Sequence, residues 1–174
     1  MKIITEKLKE GNRRYMATSS VSVRLDTARN GQHPYAIVIC CSDSRVIPEQ
    51  IFDAGLGELF VIRVAGNVLD NHQLGSIEYA AAHLGCKLVL MLGHTGCGAI
   101  GAALSGHADG YISYIVEDIA LAAGDEKDPD EVCRLNVLYG VDMIKREFAE
   151  HPEMQDIDVR GAVYDIESGQ VNWL

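Results

Sequence analysis

Basic residues are scarce in this 174-residue chain. Fifteen Lys and Arg stand against 25 Asp and Glu, a formal net charge of -10 at pH 7. Binding nucleic-acid phosphates needs a clustered basic face, so the composition excludes nucleic acid as the main partner and favours a small ligand. Long apolar runs are missing as well. No stretch reaches the ~20 residues of a membrane span, so no membrane association is expected. The opening residues MKIITEKLKEGNRRYM are charged throughout and hold no apolar core of a secretory leader. A cytoplasmic protein is expected. Repeats, low-complexity tracts and linkers are absent, which predicts one domain over 1–174, with 1–20 as an N-terminal helical arm. Five cysteines are present (Cys40, Cys41, Cys86, Cys97, Cys133). In a reducing compartment they read as thiols or metal ligands rather than disulfides.

What is there is an alternation of strands and helices. Residues 3–16 carry Ile4, Leu8, Tyr15 and Met16 at roughly helical spacing among charges, an amphipathic helix with too few apolar positions to stand alone. Three short, near-continuous apolar runs follow, Tyr35–Cys40, Leu59–Val64 and Lys87–Leu92, as expected of strands buried on both faces. QLGSIEYAAAHLG between the second and third reads as a helix closed by Gly85. Helices are also expected in AIGAALSG after Cys97, over 111–123 and over 131–150. A strand over 158–166 and a turn into VNWL close the chain. The pattern predicts an α/β fold: a central, mostly parallel β-sheet flanked by helices. Ligands in such folds gather beyond the carboxyl ends of the strands.

Two stretches end apolar runs with chemistry. CCSDSR (40–45) follows the first run and GHTGCGA (93–99) the third. His94-x-x-Cys97 can place both side chains on one metal at a strand-to-helix turn, with Gly96 and Gly98 letting the backbone bend. Cys41 supplies a third ligand from the neighbouring strand end. Thiolate and imidazole suit zinc, and catalytic zinc commonly keeps three protein ligands and one open position. Against this stands the ordinary fate of a buried cysteine, an inert small hydrophobe, which is the reading for Cys86 and Cys133. Cys40 and Cys41 point to opposite faces of a strand, so only one faces the metal easily. Asp43 and Arg45 would by default be a solvated surface pair. Beside a ligand they gain a role: a carboxylate held by a guanidinium can accept a hydrogen bond from the nucleophile on zinc, and is kept off the metal itself. The zinc deaminases, which also use His and two Cys, need P-C-x-x-C, which is missing.

Cys41-Ser-Asp-Ser-Arg45 and His94-Thr-Gly-Cys-Gly98, with GNRRY, GQHP, ELFVIRVAGN, GSIEYAAAHLG and VYDIESGQ, resemble the β-class carbonic anhydrases along nearly the whole chain, in a short, plant-like form. The resemblance implies reversible hydration of carbon dioxide to bicarbonate through zinc-bound hydroxide. One Zn2+ per subunit would be held by Cys41, His94 and Cys97, with Asp43 and Arg45 as catalytic dyad. It further implies Gln32, Phe60, Ala65, Tyr79 and the Gly98 amide as substrate-binding groups, Ala65 standing where some members have valine. Val64 departs from the Asn common in the family, which is expected to alter packing more than chemistry. Gln32, and a lone tryptophan (Trp173) far from it, favour the form with an open zinc site. His83 lies one helical turn after Tyr79, and histidine is the side chain suited to carrying protons near neutral pH, which makes it a candidate proton exit route. The family's dimers, in which N-terminal helices embrace the partner, imply a homodimer or dimer of dimers. Two alternatives stand beside this: a carbon disulfide or carbonyl sulfide hydrolase on the same scaffold, and a non-catalytic zinc or redox thiol protein with Asp43 as fourth ligand.

Overall fold

The computed structural model describes residues 2–174, and the chain divides after Gln32 into two units. The first holds helices α1 (Lys2–Thr18) and α2 (Val21–Asn30). Along α1, Lys9 pairs with Glu6 at 2.9 Å and Arg13 with Glu10 at 2.7 Å. Such exposed pairs add little. The apolar face of α1 stays open: Ile3, Ile4 and Leu8 are 85%, 65% and 72% exposed. Helix α2 was not expected. Its apolar residues Val21, Val23 and Leu25 alternate with period two, the pattern of a strand. The helix starts instead from Ser20, whose Oγ accepts the Val23 N–H.

The second unit is built on five strands: β1 (Ala36–Cys40), β2 (Leu59–Arg63), β3 (Leu88–His94), β4 (Asp158–Tyr164) and β5 (Val171–Trp173). Their order is β2-β1-β3-β4-β5; the first four are parallel and β5 runs antiparallel to β4. Every residue of β1 is buried. Ile37 and Ile39 join one core with Ile62, Ile77, Val89 and Met91. Val38 and Cys40 join another with Val46, Leu90 and Leu92. This is the two-sided burial expected of continuous apolar runs.

Five helices connect the strands. They are α3 (Pro48–Ile51), α4 (Asn71–Leu84), α5 (Gly98–Ser105), α6 (Ile112–Ala123) and α7 (Pro129–Glu147). Helix α4 starts earlier than its apolar periodicity suggests because Asp70 caps it. The Asp70 carboxylate accepts the His72 N–H at 2.7 Å, and the Gln73 side chain accepts the Asp70 N–H at 2.9 Å. It ends at Gly85 in the left-handed region, as expected. Helix α7 starts on Asp128 with Pro129 in its first turn.

The strand order fixes where a site forms. From β1 the chain moves to β2 on one side and then back across to β3 on the other. The crevice at that reversal lies between the carboxyl ends of β1 and β3, where the two chemical stretches emerge.

Candidate metal centre

Cys41 directly follows β1. His94 is the last residue of β3, one place inside the strand rather than past it, and Cys97 is the N-cap of α5. Cys40 pairs with Leu92, so Cys41 and His94 leave neighbouring strands within one pleat of each other. The ligand atoms of Cys41, His94 and Cys97 all lie within 4.8 Å of one another, and all three residues are buried.

The donor set fits a zinc ion. A tetrahedral zinc with Zn–S bonds of about 2.3 Å separates its sulfurs by about 3.8 Å; Cys41 Sγ and Cys97 Sγ are 4.0 Å apart. His94 Nδ1 lies 3.0 Å from the Thr95 carbonyl, which makes Nδ1 the protonated nitrogen and leaves a lone pair on Nε2. That Nε2 is buried without a hydrogen-bond partner. An orphaned buried nitrogen is costly, and a metal removes the cost. The Cys97 thiol beside it holds Cys41 well below the usual thiol range against the effect of burial, and the same contact pushes Cys97 well above it.

Asp43 sits beyond Cys41, clamped by Arg45. Arg45 Nε donates to Oδ1 at 3.0 Å and Nη2 to Oδ2 at 2.7 Å; the Arg45 backbone N–H also donates to Oδ1 at 2.9 Å. These bonds hold the carboxyl well below the usual carboxylate range. Arg45 also reaches the Gly96 carbonyl at 3.3 Å, tying the dyad to the turn that carries Cys97. Gly96 takes φ +64° there, which glycine adopts freely.

Four further residues hold the centre and went unforeseen. Arg63 donates to the Cys41 carbonyl at 3.2 Å and the Asp43 carbonyl at 2.7 Å; a lone cation closing an apolar strand was the signal for it. Gly66 donates its N–H to Cys41 Sγ at 3.3 Å. Asn136 holds the Gly66 carbonyl. Cys133 donates to the His94 carbonyl at 3.3 Å. It is a buried core thiol, as expected, as is Cys86, which bonds the Pro34 carbonyl. Val64, the departure from the family pattern, bridges the loop through its backbone: its N–H donates to Cys40 O and its carbonyl accepts from Ser42 N–H.

Gly66 makes a prediction. Its φ is +68°, and an added Cβ would meet Ile119 Cδ1 at 2.8 Å and Ala99 Cβ at 3.0 Å. Gly66→Ala is expected to cost about 2 kcal/mol from overpacking and backbone strain together. In thermal unfolding, that lowers Tm by roughly 4–8 °C for a chain of this size. An unchanged Tm would refute the close packing around this turn.

The other expected site residues fall into separate groups. Gly98 opens α5 beside Cys97, and Ala65 begins the short 3-10 turn Ala65–Asn67. Phe60 pairs with Ile37, three places before the Cys40–Arg63 pair. That puts it about 10 Å back along the strands from the ligand end. Its ring lies 6.3 Å from that of Tyr79, which lies 5.2 Å from that of His83. These three form a row of their own, with Tyr79 half-exposed. Gln32 ends the N-terminal unit.

Residues 36–171 match the family model described as carbonic anhydrase. The chain is similar to carbonic anhydrase 2 of Mycobacterium tuberculosis, 47% identical over 124 residues, covering 65% of this chain and 59% of the relative. It thus spans about three-fifths of that relative's length. A carbonic anhydrase of Pseudomonas aeruginosa is 36% identical over 164 residues, covering 82% and 74%. Among solved structures, the Coccomyxa β-carbonic anhydrase in complex with acetazolamide superposes with a TM-score of 0.78. Its identity is 30%, over 97% of this chain and 85% of that one.

Proposed function

The chain belongs to the carbonic anhydrase family, in its β class, and from that premise we propose that it catalyses the reversible hydration of carbon dioxide to bicarbonate and a proton. The observation that carries this is the buried Cys41–His94–Cys97 cluster, with its unpartnered imidazole nitrogen, beside a carboxylate clamped by arginine. Zinc held there by the three side chains supplies a Lewis acid that makes water nucleophilic at neutral pH, a chemistry for which carbonic anhydrases are the standard example. Asp43 accepts a hydrogen bond from the attacking water and orients it. Arg45 keeps Asp43 ionised and engaged away from the metal. The Gly98 N–H, in the first turn of α5, donates to a bicarbonate oxygen. His83, in ring contact with Tyr79, passes the released proton to buffer. His83→Ala is expected to lower turnover several-fold at low buffer concentration and to recover with added imidazole. Unchanged low-buffer turnover in stopped flow would remove it from the route.

We further propose a homodimer in which the pocket is shared between copies. The separation of Phe60 from the ligands along β2, with Tyr79 in ring contact with it, supports a pocket where they serve the partner's metal. The open apolar face of α1 supports an arm that packs on the second copy. Ile4→Glu with Leu8→Glu, four residues apart on one face, is expected to sediment as a monomer. A dimer retained by that double variant would overturn the arm's role. Among the described residues no helix is long and apolar enough to cross a membrane. The five cysteines are in no disulfide with one another, which supports a reducing, cytoplasmic location.

The test of the activity is stopped-flow carbon dioxide hydration by zinc-verified protein. Rapid turnover at neutral pH is expected, lost with a chelator and restored by zinc. No turnover with zinc bound would overturn the proposal and make carbon disulfide and carbonyl sulfide the next substrates to try.

A further inference from the structure

We propose that Asn136 is a positioning residue for the metal ligand Cys41, acting through the backbone of Gly66. The inference rests on the metal-centre reading above. Asn136 is the polar exception in the buried face of α7, which otherwise holds Val132, Cys133, Val137, Gly140, Val141 and Ile144. It is 3% exposed. An apolar side chain would suit that row, and a buried amide costs stability unless it is bonded. Its bond goes to one place. Nδ2 donates to the Gly66 carbonyl at 2.9 Å, across 70 positions of sequence.

Gly66 is the residue whose N–H donates to Cys41 Sγ at 3.3 Å. It therefore faces the ligand with one peptide group and is held by α7 through the next. Freedom between the two groups is small. Gly66 has φ +68° and Asn67 φ +46°, consecutive left-handed residues, and the space beside Gly66 is closed: an added Cβ would meet Ile119, Ala99 and Ile115. Fixing the carbonyl thus fixes where the N–H points. A hydrogen bond to a thiolate sulfur spreads its charge and sets its direction, as outer partners do for other metal ligands. Removing Asn136 leaves the Gly66 carbonyl buried without its donor and frees the turn to re-aim the N–H away from Cys41.

The test begins with the wild-type protein loaded with 113Cd. The Gly66 amide proton is expected to show scalar coupling to the metal through its hydrogen bond to the Cys41 sulfur. Absence of that coupling in metal-loaded protein overturns the proposal without any variant. Asn136→Ala and Asn136→Asp follow; the second matches asparagine in shape, but its carboxylate cannot donate to the Gly66 carbonyl. Both are expected to lose the coupling and to bind zinc 10- to 100-fold more weakly in chelator competition. A variant that melts earlier yet keeps the coupling and the parent's zinc affinity makes Asn136 merely structural and overturns the proposal. A wild-type protein that binds neither metal would instead bring down the metal centre itself, a result distinguishable from every other.

Discussion

Asp43→Asn is expected to retain zinc in full and to lower carbon dioxide hydration by about 10²- to 10⁴-fold, the range for loss of a positioned proton acceptor. The substitution keeps the volume of the side chain and removes its charge. In the parent, Arg45 and its own backbone N–H give Oδ1 two hydrogen bonds and Oδ2 one. A carboxylate oxygen accepts more than one bond, so Oδ2 has capacity left for the nucleophile. An asparagine offers a single acceptor oxygen. Arg45 competes for it, and the NH2 group then presents a donor where an acceptor is needed. The metal ligands are untouched: the Asp43 carboxylate takes its hydrogen bonds from Arg45, and the substitution leaves the Asp43 backbone as it is. Zinc content and hydration rate, measured on the same sample, separate this outcome from simple loss of metal. Undiminished turnover would remove Asp43 from the mechanism.

In the proposed mechanism Arg45 acts through Asp43, so its removal tests the clamp rather than the acceptor. Arg45→Ala frees the carboxylate and cuts the tie to the Gly96 carbonyl. With no guanidinium to hold it, the carboxylate is close enough in sequence to compete for the metal. Activity is therefore expected to fall as well, with zinc retained.

Much of this arrangement is legible in the residues because parallel strands buried on both faces read as unbroken apolar runs. YAIVIC and KLVLML reveal β1 and β3, and the residues that follow them land where an α/β sheet binds ligands. The period-two pleat separates Cys40 from Cys41, and the two do enter different clusters of the core. What was not legible acts through backbone atoms. Arg63, Gly66, Cys133 and Asn136 reach the centre by bonds to or from peptide groups, across 20 to 70 positions. No side-chain motif marks such contacts. Helix α2 was hidden by apolar spacing that suits a strand, and α3 by its length of four residues. The distance of Phe60 from the ligands follows from the register of β1 on β2, which a single sequence does not display.

Cys41→Ala and Cys40→Ala, neighbours in the chain, are expected to have opposite outcomes. Cys41 is one corner of the three-ligand cluster. Without it, His94 and Cys97 remain as two ligands, too few for a structural or a catalytic zinc. The variant is expected to retain no zinc after dialysis and to hydrate carbon dioxide at the uncatalysed rate. It also forfeits the stability that metal binding lends the fold, about 1.4 kcal/mol for each tenfold of affinity lost at saturating zinc. Cys40 stands on the other face of β1, fully buried among Val38, Val46, Leu90 and Leu92. Burial pushes its thiol up to about 12, so it stays protonated and makes a poor ligand. Cys40→Ala is expected to keep zinc and hydration near parent levels and to cost about 1 kcal/mol for the lost packing. Metal analysis and thermal unfolding of the two variants side by side decide it. A zinc-free Cys40→Ala beside a zinc-loaded Cys41→Ala would mean that β1 is shifted by one residue, because a slip of one is what exchanges the faces of a strand.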